Sequence, residues 1–309
     1  MSISFFKKKS TLIVASVAVM GLALTGCGTN SAAAVVATYN GGTVTASQMN
    51  EQVHLQQLFD PQLTSVSTTV KKQVIQQYIV YNRLLEAQAV KAGIKVTNAQ
   101  VNQTVLNIKQ SAIQSLYSGN TSSFDTKMQT LGLQNTNLAD YVKTLLILQL
   151  YSQKLVNKVS LQSEEQYYKQ NLYQFATVSV RHILVNKLSL AQQIATQLRN
   201  GGSWTKLAKQ YSTDTGSKNN GGLYANQSPS QWVVPFRDHA MSQPIGVIGN
   251  PFKSQYGYHV MEVLKRTITP FKSVESTIQQ TLLQQKTNTV MTGIVKKLQK
   301  NADIKYTLS

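Results

Sequence analysis

The spacing of apolar residues changes twice along this chain of 309 residues, and these two changes constrain its fold most strongly. Before residue 177, and again from about residue 268, apolar side chains recur every three or four positions, as in amphipathic helices. The stretch between them, residues 177–267, begins and ends with strand-like runs. A single C-terminal helix with one apolar face cannot bury that face alone. We therefore expect it to pack on the N-terminal helices, which makes residues 177–267 an inserted domain.

The predicted fold class is α+β, with a mainly helical domain divided between residues 35–176 and 268–309. Residues 35–45 are typical of two short strands around a tight turn, and residues 303–308 of a terminal strand. The helix predicted at residues 137–155 is apolar over more than half of its circumference. Such a helix belongs in a core or in an oligomer interface, so we predict a homodimer formed through the helical region.

The N-terminus has the order of a signal peptide. Three lysines at positions 7–9 precede an uncharged, largely apolar run from Leu12 to Leu24, and small residues follow this run. The run is shorter than a transmembrane helix, which needs about 20 apolar residues. We therefore predict that residues 1–26 are a signal peptide.

The end of this segment, Leu24-Thr25-Gly26-Cys27, resembles the lipobox of bacterial lipoproteins. The resemblance implies that the thiol of Cys27 carries diacylglycerol, that residues 27–34 form a lipidated tether, and that the protein lies at the extracytoplasmic face of the bacterial cell membrane. Cys27 is the only cysteine, so the chain forms no internal disulfide. The alternative is an ordinary secretory signal with an incidental cysteine.

The net charge is strongly positive, at +18 for the whole chain. Removing residues 1–26 takes away three lysines and no acidic residue, which leaves +15. A basic surface attracts anionic surroundings, such as lipid headgroups, cell-wall polymers or nucleic acid. The export signal argues against nucleic acid, so we expect the partners to be membrane lipid and anionic wall polymers.

Five motifs of the inserted domain resemble those of a parvulin, in the same order along the chain. They are the strand Val180-Arg181-His182-Ile183-Leu184-Val185, the helix from Trp204 to Tyr211, Gly221-Gly222-Leu223-Tyr224, Pro235-Phe236 at a helix start, and Gly257-Tyr258-His259. The resemblance covers residues 178–266. Together with the lipobox and the helical flanks, it makes the chain similar to the PrsA foldase lipoproteins of Gram-positive bacteria.

The resemblance implies a peptidyl-prolyl cis/trans isomerase with a small antiparallel sheet packed against helices. Its substrates would be unfolded, newly exported proteins that contain X-Pro bonds, whose uncatalysed isomerisation takes on the order of tens to hundreds of seconds. The reaction is a rotation, so it requires no metal or cofactor. The sequence has no zinc-binding spacing, phosphate loop or serine-histidine-acid arrangement.

The resemblance also assigns roles to seven residues. His182 and His259 would be paired at the floor of the site, and Asp214 would lie near the substrate carbonyl; these three are the catalytic candidates. The substrate-binding candidates are the pocket walls and one hydroxyl of the histidine network, namely Leu223, Trp232, Phe236 and Ser254.

Other interpretations of single residues stay open. Asp214 is also typical of a loop residue that bonds its own backbone. Trp232, Val233 and Tyr224 depart from the parvulin pattern, and their bulk can narrow the pocket or change its preference. The two histidines outside the motifs, His54 and His239, fit structural roles better than catalytic ones.

Two other functions compete with a foldase that isomerises X-Pro bonds. The first is a holdase, in which the helical domain binds unfolded chains and the inserted domain is weakly active or inactive. The second is a structural component of the envelope, which would need an exposed acidic or sugar-binding surface. The sequence shows no such surface.

Overall fold

The computed structural model describes residues 32–308. The predicted signal peptide, Cys27 and the first part of the tether lie outside the described residues. Within residues 32–308, no helix combines the length and the apolar character needed to cross a membrane.

The described residues form eleven α-helices and seven strands. The helices are α1 (Ala46–Phe59), α2 (Thr68–Gln77), α3 (Glu86–Lys91), α4 (Asn98–Leu116), α5 (Thr121–Thr130), α6 (Asn135–Leu155), α7 (Leu161–Gln170), α8 (Leu188–Arg199), α9 (Trp204–Tyr211), α10 (Val234–Ser242) and α11 (Phe271–Ala302). The strands are β1 (Val35–Tyr39), β2 (Gly42–Thr45), β3 (Ala176–Val185), β4 (Leu223–Gln227), β5 (Phe252–Ser254), β6 (Gly257–Ile268) and β7 (Lys305–Tyr306). A π-helical stretch, Tyr78–Leu85, connects α2 to α3.

The chain forms two compact units, and the first comprises the described residues up to Ile79, Ile108–Leu138 and the residues from Ala302 onward. Its sheet has the order β2-β1-β7, all antiparallel, so the predicted hairpin and the predicted terminal strand are both present. Helix α1 begins in a capping box, in which Thr45 and Gln48 bond each other's backbone N–H groups.

The second unit comprises Val80–Asn107 and Ala139–Asn301. One of its cores joins Leu85 and Ala89 to Ile147 and Tyr151 of α6, and apolar residues of α11 pack against this cluster. The packed α11 residues are Met291, Ile294, Val295 and Leu298. The C-terminal helix therefore packs on N-terminal helices, as its apolar face predicts.

The inserted sheet has the strand order β4-β3-β6-β5, and every neighbouring pair is antiparallel. Side chains alternate between the two faces of a strand. One face of β3 carries Val178 and Val180, which pack against Phe236 of α10. The other face carries Ile183 and Val185, which pack against α8 and α9. The sheet is therefore covered by helices on both faces.

Helix α10 is attached to β6 by the half-buried side chain of Arg266. The guanidinium of Arg266 donates hydrogen bonds to the carbonyl oxygens of Ala240 and Gln243 at 2.6–3.0 Å. These carbonyls end the helix and lack partners within it. Burial lowers the pKa of Arg266 from its ordinary value. The contact holds α10, and with it Phe236, at a defined position over the sheet.

Candidate active site

Two histidines meet on the α10 face of the inserted sheet. His182 lies in β3 opposite Met261, and His259 lies in β6 opposite Leu184. The register and the alternation of side chains place both rings on one face, where their Nδ1 atoms are 3.3 Å apart. Both residues are only 3% exposed. The rings are close to parallel, with an interplanar angle of 27°.

The loop after α9 places Asp214 beside this pair. The hydroxyl of Ser212 accepts hydrogen bonds from the backbone N–H groups of Leu184 and Asp214, and the Thr213 N–H donates to the Leu184 carbonyl at 2.8 Å. These bonds attach the loop to β3. Asp214 Oδ2 then lies 2.9 Å from His182 Nε2.

Asp214 is ionised at neutral pH. The hydrogen bond from His182 and further hydrogen bonds from Ser217 and Tyr224 hold the pKa of its carboxyl group well below the usual range, although burial opposes them. A carboxylate accepts hydrogen bonds only, so His182 Nε2 must carry the proton that faces it.

The remaining donors and acceptors then have one consistent order when both rings are neutral. His182 Nδ1 accepts a hydrogen bond from His259 Nδ1–H, because the proton of the neutral His182 ring is already on Nε2. His259 Nε2 is left as an acceptor, and the Ser254 hydroxyl donates to it at 2.7 Å. The Ser254 oxygen accepts the Tyr256 N–H at 3.1 Å. Burial is the main cause that lowers the pKa of His259, to about 4, in keeping with a neutral ring.

Two hydroxyl groups complete the environment of Asp214, and the motif analysis did not assign them this role. Ser217, which is 1% exposed, donates to Oδ2. Tyr224 donates to the same oxygen at 3.1 Å, and its ring stacks on His182. Ser217 lies three residues after Asp214 in the same loop, and this spacing could have indicated their hydrogen bond. The contact of Tyr224 depends on strand register, which the sequence does not show.

Aromatic rings cover the histidine pair. The ring of Phe236 meets His182 and His259 edge-on, with centroids 5.0 and 5.2 Å away. Trp232 packs on Phe236 at 5.0 Å, and Phe252 stacks on His259 at 5.1 Å. Phe252 is a further residue that the motif analysis missed.

Leu223 and His239 lie outside the series of hydrogen bonds that joins Asp214 to the two histidines. Leu223 is opposite Arg181 in the β3–β4 register, and it is 37% exposed. Arg181 lies over the ring of Trp204 in α9, so alternation gives the His182 face to Tyr224 rather than to Leu223. His239 stacks on Phe252 at 3.8 Å, outside the hydrogen-bonded chain. The structure thus brings together six of the seven predicted residues.

The close approach of β4 to β3 explains why the motif has glycine at position 222. The His182 N–H donates to the Gly222 carbonyl at 2.9 Å. A Cβ atom on Gly222 would lie 2.0 Å from the His182 carbonyl oxygen, and φ at Gly222 is +80°. Only glycine fits both conditions without strain. Among residues 32–308, no cluster of three His, Cys, Asp or Glu side chains could hold a metal ion.

The burial of neutral His259 predicts a loss of stability in mild acid. Below about pH 6.5 the unfolded chain binds a proton at this ring that the folded domain binds only near pH 4. The free energy of unfolding should therefore fall by up to about 3 kcal/mol between these pH values. Both tryptophans, Trp204 and Trp232, lie in the inserted domain, so denaturant unfolding followed by their fluorescence measures it selectively.

The matched variants for this measurement are His259→Gln and His54→Gln. The first should flatten the dependence on pH, and the second, in another unit of the chain, should leave it unchanged. A wild-type stability that is constant from pH 6.5 to 4 would contradict a neutral, buried His259.

Comparison with known families is consistent with this geometry. Residues 166–267 match the model of the PPIC-type PPIase domain. This range contains His182, Asp214 and His259. Residues 3–130 match the model of the SurA-like N-terminal domain.

Similar proteins match nearly the full chain. Foldase protein PrsA 1 of Lactobacillus johnsonii is 30% identical over 97% of this chain and 91% of its own length. Foldase protein PrsA of Caldanaerobacter subterraneus is 29% identical over 92% of each chain. The crystal structure of the peptidylprolyl isomerase PrsA from Bacillus cereus is 23% identical, covers 90% of this chain and 96% of its own, and has a TM-score of 0.48. The chain therefore belongs to the PrsA family of foldases and carries a peptidyl-prolyl cis/trans isomerase domain of the parvulin type.

Proposed function

We propose that this domain catalyses rotation about X-Pro bonds of exported, unfolded proteins. The bond would rotate beside the carboxylate of Asp214, which ends the series of hydrogen bonds that runs from Ser254 through His259 and His182. The observation that supports this proposal most directly is the ionised carboxylate of Asp214, hydrogen-bonded to His182, whose ring Phe236 meets edge-on. His182 holds the carboxylate through a hydrogen bond, and His259 holds the ring of His182. Trp232 and Phe236 receive the proline ring, whereas Leu223, on the opposite face of β4, lies outside this pocket.

The charge of Asp214 lowers the barrier to rotation in a simple way. A planar amide owes its barrier of about 18–20 kcal/mol to resonance, which places negative charge on oxygen and positive charge on nitrogen. Twisting removes this resonance, so the oxygen of the twisted amide carries less negative charge. A carboxylate close to the oxygen therefore repels the planar state more than the twisted state.

The apolar rings strengthen this effect. They exclude water from the amide and so lower the effective dielectric constant around the carboxylate. They also hold the proline ring while the preceding residue rotates. The side chain of Asp214 remains 19% exposed, so a bound peptide can approach it. This mechanism uses position and charge, and it forms no covalent intermediate.

Replacing Asp214 separates isomerisation from the holding of unfolded chains. We expect Asp214→Ala to lower kcat/KM for a proline-containing peptide by about a hundredfold, the size seen when one preorganised electrostatic group is removed. An NMR exchange assay on the mature chain measures this rate. The variant should still suppress aggregation of an unfolded client, because the helical segment that matches the SurA-like domain does not contain Asp214.

The control for this experiment is Asp238→Ala, which removes a carboxylate of the same domain that pairs with Arg237 on the surface. It should retain both activities. Wild-type isomerisation in Asp214→Ala would contradict the proposed site. Loss of aggregation suppression in a folded Asp214→Ala variant would contradict the separation of the two functions.

We further propose that the mature protein is held at the outer face of the cell membrane by lipid on Cys27. The lipobox supports this proposal, and the positive charge of the mature chain favours anionic headgroups and wall polymers nearby. Cys27→Ser should abolish incorporation of labelled fatty acid and move the protein from the membrane to the soluble fraction. Thr29→Ser is the matched control in the same tether and should leave both unchanged. A labelled Cys27→Ser protein would contradict the assignment.

A homodimer through the helical region is the last part of the proposal. Helix α6 buries Ile147 and Tyr151 in its own unit, yet Leu155 is 39% exposed and Leu106 of α4 is 62% exposed. Sedimentation equilibrium of the protein without residues 1–27 should show a dimer at high concentration, which Leu106→Gln and Leu155→Gln together weaken. Monomer alone at every concentration would contradict this proposal.

A further inference from the structure

We propose that Tyr224 is a positioning residue of the isomerase, whose hydroxyl fixes the carboxylate of Asp214 in the orientation that X-Pro rotation requires. This inference rests on the role of Asp214 proposed above. Tyr224 stands at one of the positions where the sequence departs from the parvulin pattern. In the structure its hydroxyl donates a hydrogen bond to Asp214.

The placement of Tyr224 follows from strand register. Tyr224 is opposite Val180 in the β3–β4 pairing, and Val180 and His182 are two residues apart on β3. Side chains with this relation share one face of a sheet. The Tyr224 ring consequently stacks on His182, with centroids 5.5 Å apart and an angle of 26°. Its hydroxyl reaches past His182 to Asp214 Oδ2 at 3.1 Å.

Asp214 needs this contact because the carboxylate ends a side chain with two rotatable bonds. His182 Nε2 reaches Oδ2 from β3, and the Ser217 hydroxyl reaches the same oxygen from within the loop. Tyr224 adds a donor from strand β4, which is paired with β3. Three donors from three parts of the domain thus converge on one oxygen, and they leave the carboxylate little freedom to rotate.

The surroundings of the hydroxyl support a role as donor. Gly216 leaves space for it, since a Cβ atom there would lie 2.9 Å from the Tyr224 oxygen. Burial, with the negative charge of Asp214, raises the pKa of Tyr224. The hydroxyl therefore keeps its proton and donates it to the carboxylate at any pH where the protein works.

A double-mutant cycle between Tyr224→Phe and Asp214→Asn tests this inference in the mature chain. Tyr224→Phe keeps the ring on His182 and removes only the hydroxyl. We expect kcat for a proline-containing peptide to fall about tenfold with KM unchanged, because a hydrogen bond to a charged group contributes about this much. In the Asp214→Asn background, Tyr224→Phe should have no further effect on kcat.

The matched control is Tyr211→Phe, which removes a hydroxyl of α9 that accepts only a hydrogen bond from the neighbouring Gln210 side chain. It should leave kcat and KM unchanged. Carbon-13 NMR of the Asp214 carboxyl group gives a second readout, independent of activity. Removing the Tyr224 hydroxyl should raise the pKa of this carboxyl group, because the hydroxyl helps to keep it low.

The outcomes distinguish failure of this inference from failure of the proposed function. If Asp214→Asn lowers kcat while Tyr224→Phe changes neither kcat nor the carboxyl titration, Tyr224 has no positioning role. A change in KM alone would make Tyr224 a wall of the pocket and would also overturn the inference. If Asp214→Asn itself has no effect on kcat, the proposed role of Asp214 fails, and that of Tyr224 fails with it.

Discussion

The antiparallel pairing of β3 with β6 is the constraint on which the whole site depends. It sets His182 opposite Met261 and Leu184 opposite His259, so that two histidines from distant parts of the sequence share one face of the sheet. A slip of one residue in either strand would turn one ring to the opposite face, toward α8 and α9. The same pairing sets Ala176 opposite Ile268, so the chain enters and leaves this sheet at neighbouring positions.

The polarity of the site follows from this pairing and from burial. An isolated charge in an apolar interior costs much free energy, so the buried ring of His259 is stable in its neutral form. The negative charge lies at Asp214, where the side chain is partly exposed and three donors stabilise it. One end of the chain of hydrogen bonds is therefore neutral and covered by aromatic rings, and the other is charged and accessible. A domain built in this way suits a reaction that needs an oriented charge and no chemical intermediate.

Much of the fold and of the candidate site could be predicted from the sequence. Apolar periodicity indicates secondary structure, and the order of motifs indicates the family. The helix predicted at residues 137–155 corresponds to α6, and the strand-like runs expected at the two ends of residues 177–267 correspond to β3 and β6. The π-helical stretch Tyr78–Leu85 was not predicted, since it interrupts a pattern that looks like one continuous helix. The roles of Leu223 and Tyr224 could not be separated either. Which of two adjacent residues faces His182 depends on the β3–β4 register, and both choices are compatible with the motif.

The most direct test of this account is to determine which ring nitrogens of His182 and His259 carry protons in the mature protein. The chain has only four histidines, so nitrogen-15 NMR of the imidazole rings can resolve and assign each one. At neutral pH we predict a proton on His182 Nε2, facing the Asp214 carboxylate, and a neutral His259 with its proton on Nδ1. A positively charged His259, or a His259 ring with its proton on Nε2, would contradict the proposed order of donors and the orientation of Asp214 that depends on it.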